Sequence, residues 1–388
     1  TSALKENTGV SNTAVGRGAL QNNTTGGYSV AVGHNALTTV TTGTKNTGIG
    51  QGALYSTTGS NHVALGYGAG ENVTTGNSNT LLGFETGKQI TEVSEAVAVG
   101  FKALTAMTGG THNTAVGAYS GDAVTTAIRN TAMGYNSIGS MSTGGYQAAF
   151  GYGSLADVTT GEHNACFGYG SGGSLGTGSN NVMVGGSCGS SMTAGANNVI
   201  IGSSAANTGV LLTTGGGNVV IGQAARTSSS TVANEIILGQ EVGGNGTNTI
   251  NIGNGTTDVS CAFGGTTWTN PSDVRIKEDI RDEEIGLSFI NDLRPRTFRY
   301  RKEKDIPEGL RSHVAGSENR YKTDKYEHGF IAQEVKEAID KHNLKDGFDM
   351  WSEDPSDGRQ RVGPTSVIPM LIKAIQELSA EVEKLKGD

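Results

Sequence analysis

Two residues in the stretch TNPSDVRIKEDI, Thr269 to Ile280, have types and a spacing that could do chemistry: Ser272, directly behind Asn270-Pro271, and Lys277, five positions on. A serine hydroxyl is a weak nucleophile until a base takes its proton. A lysine amine becomes such a base when burial draws its pKa down from about 10.4 toward neutrality. Positions i and i+5 face opposite sides of a straight strand, so the two groups meet only if the chain between them bends. Asn-Pro is a turn former able to present the hydroxyl. An isolated SDxxxK is ordinarily a solvated turn leading into an exposed strand. The elements on either side therefore decide what the pair is for.

Other chemistries have weaker support. Cys166, Cys188 and Cys261 are widely spaced with no CxxC pair, which indicates neither a disulfide framework nor a zinc site; two of them occupy repeat positions otherwise held by Ala or Ser, as small core residues do. GYGAG at 66–70 and GYGSGG at 168–173 imitate phosphate-binding loops but fall in register with a repeat and open no helix. Bound metal and cofactor are not expected. The net charge of -8 divides evenly about Pro271 and no basic stripe is present, so nucleic acid is not an expected partner. No apolar run approaches the roughly 20 residues of a membrane span and no signal peptide is visible, so membrane insertion is not expected. The chain opens at Thr1 already inside repeat sequence, as a piece of a longer protein would.

The two sides of Pro271 differ in kind. Before it lie 53 of the 61 glycines and 18 charged residues; after it, 46 of 117 residues are charged. Aligned on a glycine that follows an aliphatic residue, the first part repeats at Gly16, Gly33, Gly50, Gly66, Gly83 and onward to Gly253, mostly every 17 residues. The residue before each glycine is bulky and apolar (Val15, Val32, Ile49, Leu65), and the one before that is usually Ala. That period of two predicts a short strand with a bulky face and a small face. Asn recurs four residues before the glycine, and Thr-Thr-Gly turns precede it. Seventeen residues are too few for a helix-containing repeat and suit one coil of a parallel β-solenoid, stacked at about 4.8 Å. So thin a coil encloses little, and the small Ala face is expected to pack against other copies, three around an axis. The bulkier Met183, Ile200, Val220 and Ile237 are expected to thicken that interface.

After Ser272 the sequence predicts a small α+β domain. Its expected elements are a strand at IKEDI, a helix over Glu283–Leu293 capped by Asp282, a strand at Thr297–Arg301, and an exposed loop from Lys302 to Lys325. A strand leading into a helix follows over Tyr326–Ile339, and then a terminal helix over 366–386. In that last helix Ile368, Ile375 and Val382 alternate with Leu371, Leu378 and Leu385 at heptad spacing, a seam for self-association. The division read from sequence is a solenoid shaft over 1–255, a junction over 256–271 and a C-terminal domain over 272–388.

The repeats VAVG, TAVG and VALG, with Ala or Ser three residues on, resemble the head repeats of trimeric autotransporter adhesins over most of residues 1–255; similar repeats occur in phage fibres. Residues 270–388 resemble the intramolecular chaperone auto-processing domain of phage tail spikes and fibres, through SDVRIK, LRPRTFRY, HGFIAQEV and IPMLIKAIQEL in that order. The resemblance implies a domain that trimerises, templates folding of the fibre and then cuts itself off with a Ser-Lys dyad, here Ser272 and Lys277, at the Ser272-Asp273 boundary. It further implies that His328 assists, by orienting groups or stabilising the oxyanion.

The implied protein is a virion tail fibre or spike component, a homotrimer acting as a single-turnover self-cleaving peptidase with no external substrate. Its expected partners are other tail proteins and a host surface receptor, a glycan or an outer-membrane component. The chaperone would be released in the host cytoplasm. Long-range β structure folds slowly and exposes sticky edges, so a domain that first registers three chains meets a real kinetic need. Two rivals are a bacterial trimeric surface adhesin and a glycan-depolymerising spike. The second needs paired carboxylates, whereas the eleven acids before Pro271 are scattered.

Overall fold

A computed structural model describes residues 2–255, 257–344 and 348–387. The chain divides into two compact units, Thr1–Pro271 and Ser272–Asp388.

The first unit is a parallel β-solenoid. Strands of three residues run from β1 (Thr13–Val15) to β14 (Ile236–Leu238), each paired in parallel with the next and in the same register, Thr13 on Val30 and Ala14 on Ala31. β15 (Thr249–Asn254) continues the stack, and β16 (Thr257–Ala262) turns back antiparallel on it, covering the last open edge. At each strand end a glycine turns the coil. Gly33 has φ 136°, and a Cβ there would lie 2.5 Å from the Gly50 carbonyl oxygen of the next coil, so both conformation and space exclude a side chain.

Which strand face is inside corrects one expectation. The small central residue points inward: Ala31, Ala64, Ala98, Ala115 and Ala149 are buried. The bulky residue before the glycine points outward, leaving Val15 58% and Leu65 51% exposed. The reason is steric. The opposite wall supplies the large core side chains, Leu20, Leu37, Leu54, Leu104 and Leu155, and Ala is what fits against them. The bulkier central residues belong to this core as well and thicken no outer interface. Where the opposite wall carries Gly172 and Gly189 in place of leucine, Met183 fills the space: a Cβ on those glycines would come within 3.1 and 2.7 Å of its sulfur. Leu81 does the same opposite Gly70 and Gly87.

The recurrent asparagines form a buried ladder. Asn181 donates to the Gly195 carbonyl at 2.9 Å and accepts the backbone N–H of Asn198 at 3.0 Å, and Asn198 repeats the pattern on Gly215 and Asn218. Each side chain thus satisfies turn groups that a coil without long strands leaves unpaired.

The second unit is α+β. It comprises α1 (Leu287–Asp292), an antiparallel pair β17 (Arg296–Phe298) and β18 (Glu327–Gly329), α2 (Ala332–Lys341), a hairpin β19 (Trp351–Glu353) and β20 (Gln360–Val362), and α3 (Val367–Gly387). Phe289, Leu293, Val335, Ile339, Met350 and Met370 form its core. Three expectations are corrected. IKEDI forms no strand: a 3-10 turn covers Val274–Ile276, and residues 277–286 carry no regular element. The first helix begins at Leu287 rather than Glu283, and its leading N–H is taken by the Glu377 carboxylate of α3 at 2.7 Å, not by Asp282. The strand at Thr297–Arg301 is shorter and starts one residue earlier. α3 buries Val367, Met370 and Ala374 against the unit and leaves its heptad seam open, with Ile375 65% and Leu385 78% exposed.

Candidate functional site

The bend required between Ser272 and Lys277 is present. Asp273 caps the 3-10 turn, its Oδ1 accepting the Arg275 backbone N–H at 2.8 Å. The Arg275 guanidinium grips the same carboxylate through Nε at 2.9 Å and a terminal nitrogen at 2.6 Å. This bidentate clamp holds the Asp273 carboxyl below the usual carboxylate range. The Lys277 N–H closes the turn on the Val274 carbonyl. The result brings Lys277 Nζ to 2.7 Å from Ser272 Oγ, to which it donates. The turn is therefore the device that joins positions which a strand would separate.

Both side chains are exposed. The ammonium of Lys277 donates to the hydroxyl, whereas a base must accept from it. A lysine base works from a dry pocket, whereas this pair stands in water. In the single chain, positioning is achieved and desolvation is not.

His328 sits on β18 opposite Thr297 of β17, its Nδ1 3.0 Å from the Thr297 hydroxyl. Among the described residues no hydrogen bond joins it to Ser272 or Lys277, so the pair is assembled without it. The Asp273–Arg275 clamp escaped sequence reasoning, although the D-x-R spacing next to a Ser-Lys pair carries its signal: an aspartate at a cap position accepts from the N–H two residues on. The buried thiols of Cys166 and Cys188 are pushed up by desolvation, as inert core residues are.

Fold and site together define a class: a repetitive β-solenoid followed by a small α+β unit that opens on an ordered Ser-Lys turn. Residues 272–344 match the family described as chaperone of endosialidase, so the C-terminal unit is similar to that family over a stretch that begins at Ser272 itself. No curated protein and no solved structure is significantly similar to the chain. A chaperone domain of this family behind a β-solenoid fits a protein of the tail fibre or tail spike kind.

Proposed function

We propose that the chain is a virion tail fibre or spike component that assembles as a homotrimer. Its C-terminal unit registers three chains, promotes folding of the solenoid and then releases itself by cleavage at Ser272-Asp273, remaining in the host cytoplasm. The observation that carries this reading is the 2.7 Å contact of Lys277 Nζ with Ser272 Oγ at the first residue of the chaperone match. Once assembly takes water from the amine, Lys277 accepts the Ser272 hydroxyl proton and passes it to the Asp273 nitrogen as the Ser272–Asp273 amide breaks, and water then hydrolyses the acyl ester to leave the Ser272 carboxylate and a free Asp273 amine. His328 is a supporting group held by Thr297, and Asp273 with Arg275 keeps the turn in shape. The released shaft joins other tail proteins and meets a host surface glycan or outer-membrane component. Half-exposed rings such as Tyr67, Phe84 and Phe101, stacked 5.2 Å apart, give one side of the shaft an aromatic surface for that contact.

Two features support the trimer. The outward row of Val15, Leu65, Phe167 and Ile252 runs along the solenoid, the α3 seam is open, and an apolar stripe of such length is characteristic of an interface. The test is a denaturing gel of the assembled protein. Wild type is expected to give two pieces, while Ser272→Ala and Lys277→Ala remain full length, with cleavage slowed at least about 100-fold. Wild type that stays whole after assembly, or variants that are still cut, would overturn the cleavage reading.

A further inference from the structure

The second unit holds a groove of about 570 Å³ between residues 298–301, at and beyond the end of β17, the start of α2, and β20. Phe298 and Phe330 make it apolar, Arg299, Arg301 and Lys322 make it cationic while Arg361 is paired with Asp354 at 2.7 Å, and among the described residues no acid lines it. Arg299 lies over the Tyr326 ring and Arg301 donates to the Asp305 carbonyl, so among the described residues neither is paired with a carboxylate. The two flanking sheets have two strands each, so β17 and β20 each keep one edge without a neighbouring strand, whereas the carbonyls of Tyr300 and Arg301 are taken by Arg320 and Tyr321. A groove bounded in this way takes an extended peptide by strand addition, with backbone pairing on the edges and side chains in the apolar floor.

The same unit displays a segment of matching chemistry. Residues 272–282 are exposed throughout. Ile276 and Ile280 stand 66% and 65% exposed, an unusual condition for two β-branched apolar residues so close together. Glu278, Asp279 and Asp282 lie between and beyond them with no cation partner among the described residues. Read as a strand, Ile276, Glu278, Ile280 and Asp282 share one face, apolar and acidic in alternation. None of these residues lines the groove of its own chain.

We propose that the groove receives residues 276–282 of a neighbouring copy of the chain. The isoleucines enter the apolar floor and the acids meet Arg299, Arg301 and Lys322. This rests on the homotrimer proposed above and deepens it: each chain hands its Ser-Lys turn to the next. Docking begins at Ile276, the last residue of the 3-10 turn, so it leaves the Asp273–Arg275 clamp intact and fixes Lys277, on the opposite face of the strand, beside Ser272. Cleavage competence is then a property of the closed ring of exchanged segments. The IKEDI stretch, with the alternation of a strand but no strand in the single chain, finds its pairing partner there.

The experiment mixes two differently tagged full-length chains, both carrying Ser272→Ala so that they stay whole, one with Glu278→Cys and the other with Arg299→Cys. After oxidation, a disulfide-linked product bearing both tags is expected. Light scattering on the same sample reads the oligomeric state separately. A trimer without the doubly tagged product overturns the segment exchange and leaves the trimer standing. Absence of any trimer removes both. As a second arm, Arg299→Glu with Arg301→Glu in the otherwise wild-type chain should slow cleavage at least about tenfold. Adding Glu278→Lys with Asp282→Lys should restore it; failure to restore it in a folded trimer counts against the pairing.

Discussion

At the scale of single residues, His62 shows how a ladder position can accept a different chemistry. It stands where Asn46 and Asn79 stand in neighbouring coils, with Nε2 2.8 Å from the Gly76 carbonyl and Nδ1 accepting the Asn79 N–H at 3.3 Å. Only the neutral ring with its proton on Nε2 satisfies both contacts, because a protonated Nδ1 would face another donor. Burial accordingly holds its pKa at about 4, below the ordinary 6.5. The unfolded chain takes up this proton first as the pH falls, so the stability contributed by the neutral ring is complete above 6.5 and is lost as the pH drops toward 4. The loss is on the order of 3 kcal/mol. Hydrogen exchange across the coils around His62 should show this acid weakening, and His62→Asn should flatten it. Asn23 poses the opposite case. It takes the core place that Val40 holds one coil later, is fully buried, and among the described residues neither amide atom has a hydrogen-bond partner. Asn23→Val is expected to stabilise the first coils by about 1–3 kcal/mol, measured as raised exchange protection there.

At the scale of elements, regularity of the solenoid depends on groups that repeat in register. Asn181→Ala would leave the Gly195 carbonyl and the Asn198 N–H without their side-chain partner, at a cost of about 1–3 kcal/mol. Because each coil contacts mainly its neighbours, the weakening should be local to the coils on either side and fade beyond them. Exchange protection that fell evenly along the whole solenoid would contradict a ladder built from nearest neighbours. The core leucines carry a related tension. Leu37 and Leu54 have φ of 54° and 51°, a left-handed conformation in which leucine is strained by about 1–2 kcal/mol, and their complete burial offsets it.

At the scale of the whole molecule, α3 separates two roles along one helix. Val367, Met370 and Ala374 attach it to its own unit, whereas Ile375, Leu378 and Val382 face water in the single chain. Ile375→Asp with Leu378→Asp should therefore leave the unit folded and abolish the trimer, read as a fall to monomer mass by light scattering. If the homotrimer is what takes water from Lys277, the same variant should also stop cleavage. A monomer that still cuts itself would sever the link between assembly and processing.

Much of this was legible in the amino-acid order, for identifiable reasons. A period of mostly 17 residues leaves one economical fold, since the recurring glycines, asparagines and aliphatics fall in the same places from coil to coil, and the structure has those coils. Ordered motifs after Pro271 marked the chaperone domain, and the heptad marked α3. The inward face of the strands was not legible. Alternation of Ala and Val shows that two faces exist, but which one lies inside depends on the leucines brought from the far wall of the coil. Glu377 as the cap of α1 lies 90 residues away in sequence, beyond any local signal. The Ser272–Lys277 contact shows the division most sharply. The sequence by itself determined which two groups stand five residues apart. Only the tertiary structure decided that a 3-10 turn clamped by Asp273 and Arg275 brings them to 2.7 Å while leaving both in water. Distance is a local property of the turn; desolvation depends on what packs over it.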